Sequence, residues 1–264
     1  MRFTFEYPVI SNNYSTNVIK TKWFPSLFPT LAFYWKIGKV VLKAASLAKK
    51  GIYTDEEWSK SSYLIFKAIE EVGGRISVDN LSPILNSPGP AVVIGNHMST
   101  LETFILPFLI CPHKKVTFVI KENLTTYPVF KHIMNSRNPV VVGRDNPKKD
   151  FMNVLSEGTD RITNGYTIIV FPQTTRMDKF DRTQFNSIGV KLAKKAGVPV
   201  VPLALKTDFW GNGNLIKDFG KITPSKIVRF DFGRPLAIEG NGKGQQELIV
   251  THIENCLNVW NEPH

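Results

Sequence analysis

The chain has 264 residues, with 33 lysines and arginines against 22 aspartates and glutamates and a net charge of +11. This length is enough for a large hydrophobic core, and the ordinary hydrophobic and charged fractions exclude wholesale disorder. The positive charge favours an anionic partner, such as a phosphorylated metabolite, an anionic membrane or a nucleic acid. Cys111 and Cys256 are too few and too far apart in sequence for a disulfide framework, which is typical of a reducing compartment.

Residues 1–74 are predicted to form an N-terminal amphipathic helical region that associates with a membrane. From Trp23 to Ala48, aromatic and aliphatic residues alternate with Lys36, Lys39 and Lys43 at helical spacing. Such a segment can lie in the interface of an anionic membrane. It contains no uninterrupted run of about 18 apolar residues, so a transmembrane helix is not predicted. The N-terminus lacks the pattern of a secretory signal. The alternative is an amphipathic helix that packs on its own domain.

A capping box at Thr54 to Glu57 predicts a helix that ends at Gly73. Residues 75–264 are then predicted to form an α/β domain, because short apolar strands alternate with helical segments. This alternation is typical of a mixed, largely parallel central sheet flanked by helices. The predicted strands cover residues 75–78, 91–94, 116–120, 140–142, 167–171, 198–205 and 227–232. The predicted helices follow residue 97 and cover residues 127–134, 151–162, 185–196 and a C-terminal segment with Ile249, Ile253, Cys256 and Trp260 on one face.

The strand over residues 91–94 is followed by His97, and Glu102 comes five residues later. A carboxylate at this spacing can accept the proton on one ring nitrogen of the histidine and leave the other nitrogen to act as a general base. The alternative is structural, because Ser99 and Glu102 also have the spacing of a capping box at a helix N-terminus.

Arginines follow two further predicted strands. Arg144 comes after residues 140–142, and Arg176 ends the segment Phe171-Pro-Gln-Thr-Thr-Arg176. In open α/β sheets, ligands bind outside the carboxyl ends of the strands, and a guanidinium group matches a phosphate bidentately. The sequence therefore predicts that two arginines bind a phosphate beside the candidate base.

At these segments the sequence resembles the glycerolipid acyltransferases, specifically the 1-acylglycerol-3-phosphate (lysophosphatidic acid) acyltransferase-like proteins. The family has four blocks: Asn-His followed by four residues and an acid, an arginine after a short strand, Phe-Pro-Glu-Gly-Thr-Arg, and an apolar stretch with a proline. The matching segments, in the same order, are Asn96-His97 with Glu102, Val140-Val-Val-Gly-Arg144, Phe171-Pro-Gln-Thr-Thr-Arg176 and Val198-Pro-Val-Val-Pro202-Leu203. The resemblance extends from Ala91 to Leu205.

This chain departs from the family pattern at three positions. Glu102 replaces the usual aspartate and is one methylene longer, and Gln173 and Thr174 replace the usual glutamate and glycine. Gln173 can hydrogen-bond a glycerol hydroxyl but carries no charge. The sequence therefore leaves three classes of acceptor: lysophosphatidate, another lysophospholipid or an amino-lipid.

The resemblance implies direct acyl transfer. His97, oriented by Glu102, removes the proton from the acceptor hydroxyl, which attacks an acyl thioester of coenzyme A or acyl carrier protein without a bound cofactor. Backbone amides after His97, or the loop around Gln173 and Thr174, are expected to stabilise the oxyanion. The implied substrate-binding residues are Asn96, Arg144, Gln173, Thr174, Thr175 and Arg176.

The expected partners are the lipids of an anionic membrane surface, a lysophospholipid acceptor and the acyl donor, at the cytoplasmic side of a membrane. A non-catalytic membrane-binding homologue and an acyl-thioester hydrolase stay open as alternatives. No nucleic-acid partner is expected, because no groove-entering motif with stacking aromatics is present. No metal site is predicted either, since no cluster has ligand spacing. The remaining histidines lack a carboxylate at useful spacing: His113, His132, His252 and His264.

Overall fold

The computed structural model describes residues 7–17, 22–143, 145–173, 175–213 and 216–262. Arg144, Thr174 and His264, which the sequence analysis named, lie outside these residues. The described chain forms an eight-stranded, largely parallel sheet flanked by helices, which confirms the predicted α/β class.

The strands are β1 (Tyr14–Ser15), β2 (Arg75–Asp79), β3 (Val92–Gly95), β4 (Val116–Lys121), β5 (Val140–Val142), β6 (Thr167–Val170), β7 (Val200–Lys206) and β8 (Ile227–Phe232). The α-helices are α1 (Trp23–Leu27), α2 (Pro29–Lys49), α3 (Asp55–Glu71), α4 (Ser82–Asn86), α5 (Leu101–Ile110), α6 (Phe130–Asn135), α7 (Pro147–Thr163), α8 (Ile188–Ala196) and α9 (Lys243–Asn261). Short 3₁₀ turns cover Glu122–Thr125 and Arg182–Gln184.

The strand order is β1-β2-β8-β7-β3-β6-β4-β5. The strands from β7 to β5 in this order are parallel, so their carboxyl ends meet at one edge of the sheet. β8 pairs with β7 in the antiparallel direction, and β2 is parallel to β8. The carboxyl ends of β2 and β8 therefore point to the opposite edge.

Two hydrophobic clusters pack on the two faces of the sheet. One lies under α2, α3 and α5 and includes Phe33, Phe66 and Ile105, and the other lies under α7, α8 and α9 and includes Val154 and Ile249. All residues of β3 and β6 are buried, as expected for central parallel strands covered on both faces. Helices of the predicted region 1–74 thus share one core with the sheet, and a boundary after residue 74 stays a prediction.

Local signals account for several helix ends. The Thr54 side chain accepts a hydrogen bond from the Glu57 amide at the start of α3, as the capping box predicted. Gly197 has a φ of 67° and ends α8 in the left-handed conformation that glycine adopts without strain. α7 begins at Pro147, one turn before its predicted start, because the Asn146 side chain caps it by accepting from the Lys149 amide.

Within the described part of the chain, no helix combines the length and apolar character needed to cross a membrane.

Candidate active site

His97 is the second residue after β3, at the edge where the carboxyl ends of the parallel strands meet. Its ring nitrogen Nδ1 is 2.8 Å from Oε1 of Glu102, which stands in the first turn of α5. The Glu102 side chain is fully buried, whereas the His97 side chain is 20% exposed. The predicted pair is therefore formed, with the carboxylate inside and one edge of the imidazole at the surface.

The Glu102 carboxylate has further donors. Its Oε1 accepts from the amides of Met98 and Ser99 at 2.8 and 2.9 Å, and its Oε2 accepts from the hydroxyls of Ser99 and Thr207 at 3.0 and 2.7 Å. The carboxylate thus contacts the first amides before α5, as in a capping box, and orients His97 as well. Both contacts that the sequence allowed for Glu102, with the helix-start amides and with the His97 ring, are therefore formed.

These contacts determine the charge of the pair. Burial raises the pKa of Glu102, but the hydrogen bonds from His97, Thr207 and the backbone outweigh burial and bring the pKa below its ordinary value. Glu102 is therefore ionised at neutral pH and can only accept hydrogen bonds, so Nδ1 of His97 must carry a proton. In the neutral form of this tautomer the lone pair lies on Nε2, for which no hydrogen-bond partner is found among the described residues.

The segment after β6 supports His97 from the other side. The Phe171 ring stacks on the imidazole, with ring centroids 4.6 Å apart and planes 8° from parallel. The Gln173 side-chain oxygen accepts a hydrogen bond from the His97 amide at 2.7 Å, and the Met177 amide donates to the His97 carbonyl oxygen at 2.9 Å. Gln173 is buried, so its oxygen positions the base from within the protein.

Asn96 is also buried, and its side chain connects β3 to β7. Its Nδ2 donates to the Leu205 carbonyl oxygen at 2.8 Å, and its Oδ1 accepts from the Leu205 amide at 2.9 Å. This pair of bonds holds the exit of β3 beside the end of β7. The structure thus shows a backbone-positioning contact for a residue that the sequence assigned to the substrate.

Arg176 lies at the same edge and forms an ion pair with Asp218, with its Nη1 2.6 Å from Oδ1 of the carboxylate. The same nitrogen contacts the Thr100 hydroxyl. Lys217 donates to the Thr175 hydroxyl at 2.8 Å and to the Arg176 carbonyl oxygen at 2.9 Å. The site is therefore basic beside His97, although the guanidinium already has one carboxylate partner.

The described residues bring together six of the eight predicted site residues, and Arg144 and Thr174 lie outside them. Sequence reasoning missed Thr207 and Asp218. Thr207 directly follows β7, which pairs with β3. A polar residue at the end of a predicted strand was therefore the only feature of the sequence that could have indicated this contact. Asp218 lies in a loop with no pattern that points to Arg176.

Away from this edge, the structure corrects one expectation. His252 does have a carboxylate partner, because its Nε2 is 3.4 Å from Oδ1 of Asp231. Cys256 belongs to the same group, in which each of the three residues offers a metal-ligating atom within 4.8 Å of the others. Asp231 stands too far from His252 in sequence for their spacing to predict this contact.

Comparison with known proteins gives a consistent result. The family model described as Acyltransferase matches residues 75–206. The 1-acyl-sn-glycerol-3-phosphate acyltransferase of Pseudomonas aeruginosa is 25% identical over 230 residues, which cover 86% of this chain and 84% of that protein. A chloroplastic enzyme of the same name from Arabidopsis thaliana is 27% identical over 131 residues, which cover 50% of this chain and 36% of that protein.

A solved structure shows the same fold. The crystal structure of the 1-acyl-sn-glycerophosphate (LPA) acyltransferase PlsC from Thermotoga maritima matches with a TM-score of 0.67 and 21% identity, over 91% of this chain and 98% of that one. The residues covered by the family model include the His97–Glu102 pair and the segment from Phe171 to Arg176. The chain belongs to the acyltransferase family, and its histidine–carboxylate pair lies within the part that defines the membership.

Proposed function

We propose that this enzyme transfers a fatty acyl group from an acyl thioester, of coenzyme A or acyl carrier protein, to the free hydroxyl of a lysophospholipid. The preferred acceptor in this proposal is 1-acylglycerol-3-phosphate, which appears in the names of the similar proteins. The observation that carries the proposal is the hydrogen bond between His97 Nδ1 and the buried, ionised Glu102, because it leaves Nε2 as a base at the surface.

The proposed reaction proceeds without an acyl-enzyme. Nε2 of His97 takes the proton of the acceptor hydroxyl as the oxygen attacks the thioester carbonyl carbon. The imidazolium that forms is stabilised by the Glu102 carboxylate, and it returns the proton to the thiolate that leaves when the carbon–sulfur bond breaks. The products are a diacyl lipid and a free thiol.

The contacts narrow the choice of the oxyanion donors. The amides of His97, Met98 and Ser99 already donate to Gln173 and Glu102, so they hold the base in place. The loop after Gln173 is therefore the better of the two expected positions for donors to the developing oxyanion.

Arg176 is proposed to bind the acceptor phosphate. Its guanidinium has five donors, so the ion pair with Asp218 leaves donors for a second anion. The Asp218 side chain is 54% exposed, and Lys217 adds a cation beside it. The same phosphate-binding role is proposed for Arg144 from the family resemblance alone.

Acyl transfer to a panel of acceptors tests the function. The full chain is given long-chain acyl-CoA or acyl carrier protein donors with lysophosphatidate, other lysophospholipids or a monoacylglycerol, and products are read by mass spectrometry. We expect diacyl product from lysophosphatidate. Arg176→Ala should raise KM for phosphate acceptors about 10- to 100-fold, because a charged hydrogen bond contributes about 1.5–3 kcal/mol.

The same variant should leave the rate with monoacylglycerol unchanged, and Arg182→Ala, which removes an exposed arginine paired with Glu247, is the matched control. Free fatty acid as the main product would instead identify a hydrolase. Absence of turnover with every acceptor, from folded protein, would identify a non-catalytic homologue.

An exposed apolar surface on α1 and α2 supports the proposed location at a membrane. Trp23 and Trp35 are 73% and 66% exposed. The other exposed members are Phe24, Leu27, Phe28 and Leu31. The opposite side of α2 is buried through Phe33, whose ring contacts those of Phe209 and Trp210, so packing and exposure occupy different faces of one helix. Contiguous exposed aromatics of this kind mark contact with a membrane or a partner.

This surface continues toward the active site. The Tyr34 ring lies 5.6 Å from that of Phe219, an exposed residue next to Asp218, and the Tyr34 hydroxyl donates to the Gly220 carbonyl oxygen at 2.7 Å. We propose that the enzyme rests peripherally on the cytoplasmic side of a membrane, with this surface in the lipid interface. A lipid acceptor then reaches Arg176 without leaving the membrane.

Replacing Trp23, Leu31 and Trp35 together by serine should lower the binding of the chain to anionic liposomes at least about 100-fold, because burial of each large side chain contributes on the order of 1 kcal/mol or more. Flotation measures the bound fraction. The matched control replaces three exposed apolar residues on the helices of the other face by serine: Met152, Leu248 and Val259. Equal losses in both triple variants would show that the aromatic surface is not the membrane contact.

A further inference from the structure

A second group of chemically reactive side chains lies on the face of the sheet that α9 covers. Asp231 belongs to β8, and His252 and Cys256 belong to α9. Each offers one ligating atom, and these atoms lie within 4.8 Å of one another in partly buried positions. Asp231 stands near the carboxyl end of β8, which points away from the edge that carries His97.

The sequence pattern explains why the three residues meet. In β8, Val228, Phe230 and Phe232 are buried in the cluster under α2, α3 and α5, so Asp231 projects from the opposite face, toward α9. On α9, His252 and Cys256 are four residues apart and therefore lie one above the other on the same side of the helix.

Neighbouring groups hold the carboxylate in a defined orientation. Asn80 donates to Oδ2 of Asp231 at 3.0 Å, which directs Oδ1 toward His252. Nε2 of His252 is 3.4 Å from this Oδ1 and 3.2 Å from the Asp231 carbonyl oxygen. Asp79, the register neighbour of Asp231 on β2, accepts from the Ser77 hydroxyl at 2.8 Å. The group itself combines one carboxylate, an imidazole and a thiol, and Asp79 adds a negative charge on the neighbouring strand.

The chemistry of these three side chains suits a cation. A thiol, an imidazole and a carboxylate lie within 4.8 Å of one another in partly buried positions. A bound divalent cation would stabilise the thiolate and the carboxylate together.

We propose that Asp231, His252 and Cys256 bind a zinc ion between β8 and α9. Thiolate, imidazole and carboxylate are the ligands that zinc takes in proteins, whereas magnesium and calcium prefer oxygen ligands alone. Tetrahedral zinc places its ligand atoms about 3.3–3.8 Å apart, so small side-chain rotations close the observed group around the ion. On binding, the thiol proton passes to solvent, and a water molecule completes the fourth position.

The proposed ion would connect the C-terminal helix to the sheet. α9 covers the second hydrophobic cluster through Ile249 and Ile253. A ligand that binds only the folded chain stabilises it, so zinc should raise the temperature of thermal unfolding. This effect is independent of the acyl-transfer site.

Metal titration of the full chain tests the proposal. The protein is stripped with a chelator, titrated with zinc against a chromophoric chelator, and separately loaded with cobalt to record the thiolate-to-metal absorption band. We expect one equivalent of metal and a clear thiolate band. Cys256→Ser should remove the band and weaken zinc binding at least about 100-fold, because loss of a ligand exceeds the 10- to 100-fold effect of an outer contact.

Cys111→Ser is the matched control, since Cys111 is a buried cysteine outside the group, and it should bind zinc as the unchanged chain does. His252→Gln should weaken binding as well, and circular dichroism checks that each variant is folded. The proposal is overturned if the unchanged chain binds no zinc, or if Cys256→Ser binds it as tightly as Cys111→Ser does.

Discussion

Replacing His97 with alanine should lower kcat/KM for acyl transfer about 10²- to 10⁴-fold, which is the usual contribution of a positioned general base. Nε2 of this histidine is the proposed acceptor of the hydroxyl proton. No other histidine among the described residues at this edge of the sheet has a carboxylate partner. The measurement is the rate of diacyl lipid formation at saturating and at low acceptor concentration, since loss of chemistry lowers kcat.

The same substitution should leave the fold intact. The His97 side chain is partly exposed, and Glu102 keeps its donors from Met98, Ser99 and Thr207. Thermal unfolding of the variant checks this expectation. His132→Ala, which removes a histidine on α6, is the matched control and should keep full activity. Full activity in His97→Ala would exclude the proposed mechanism.

Glu102→Gln should reduce both activity and stability. The amide group of glutamine replaces one of the two accepting oxygens with a donor. If Oε1 is replaced, the amides of Met98 and Ser99 lose their acceptor, and if Oε2 is replaced, the hydroxyls of Ser99 and Thr207 lose theirs. Leaving such buried groups unpaired costs about 1–3 kcal/mol in the free energy of unfolding. Activity should fall about 10²- to 10⁴-fold, because His97 loses the carboxylate that selects its tautomer and stabilises its charged form.

The pH dependence of this stability loss gives a second test. The folded pKa of Glu102 lies below its ordinary value, so ionisation stabilises the fold above the ordinary carboxyl pKa, and this contribution disappears as the pH falls through the folded pKa. The difference in unfolding free energy between the unchanged chain and Glu102→Gln should therefore be largest near neutral pH and shrink in acid. Urea unfolding over a pH series measures it. Glu239→Gln, at an exposed carboxyl, should show no such trend.

Much of the sheet could be predicted from the sequence, because central parallel strands such as β3 and β6 are continuous apolar runs. β1 could not be predicted, since two partly polar residues at Tyr14–Ser15 become a strand only by pairing with β2. The predicted face of the C-terminal helix is confirmed. Ile249 and Ile253 are buried, and Cys256 and Trp260 are partly buried and pack against the same cluster.

The active site was predictable where its partners are close in sequence. His97 and Glu102 are five residues apart, and a helix start brings them together. Thr207 was not predictable, because a hydrogen bond over 105 residues depends on strand order. Asn96 and Gln173 show a further limit: a polar side chain at a strand end can face the substrate or hold the backbone, and here each one bonds backbone groups.

The stacked pair of His97 and Phe171 has a consequence for the stereochemistry of the acceptor. Phe171 covers one face of the imidazole, and Glu102 fixes its Nδ1 edge, so the ring cannot turn and Nε2 points in one direction. The central carbon of 1-acylglycerol-3-phosphate is a stereocentre, and its hydroxyl meets a fixed base correctly in only one of the two mirror-image acceptors when the phosphate is held at Arg176. With the proposed acceptor and phosphate contact, we therefore expect the enzyme to acylate one enantiomer of the acceptor and not the other.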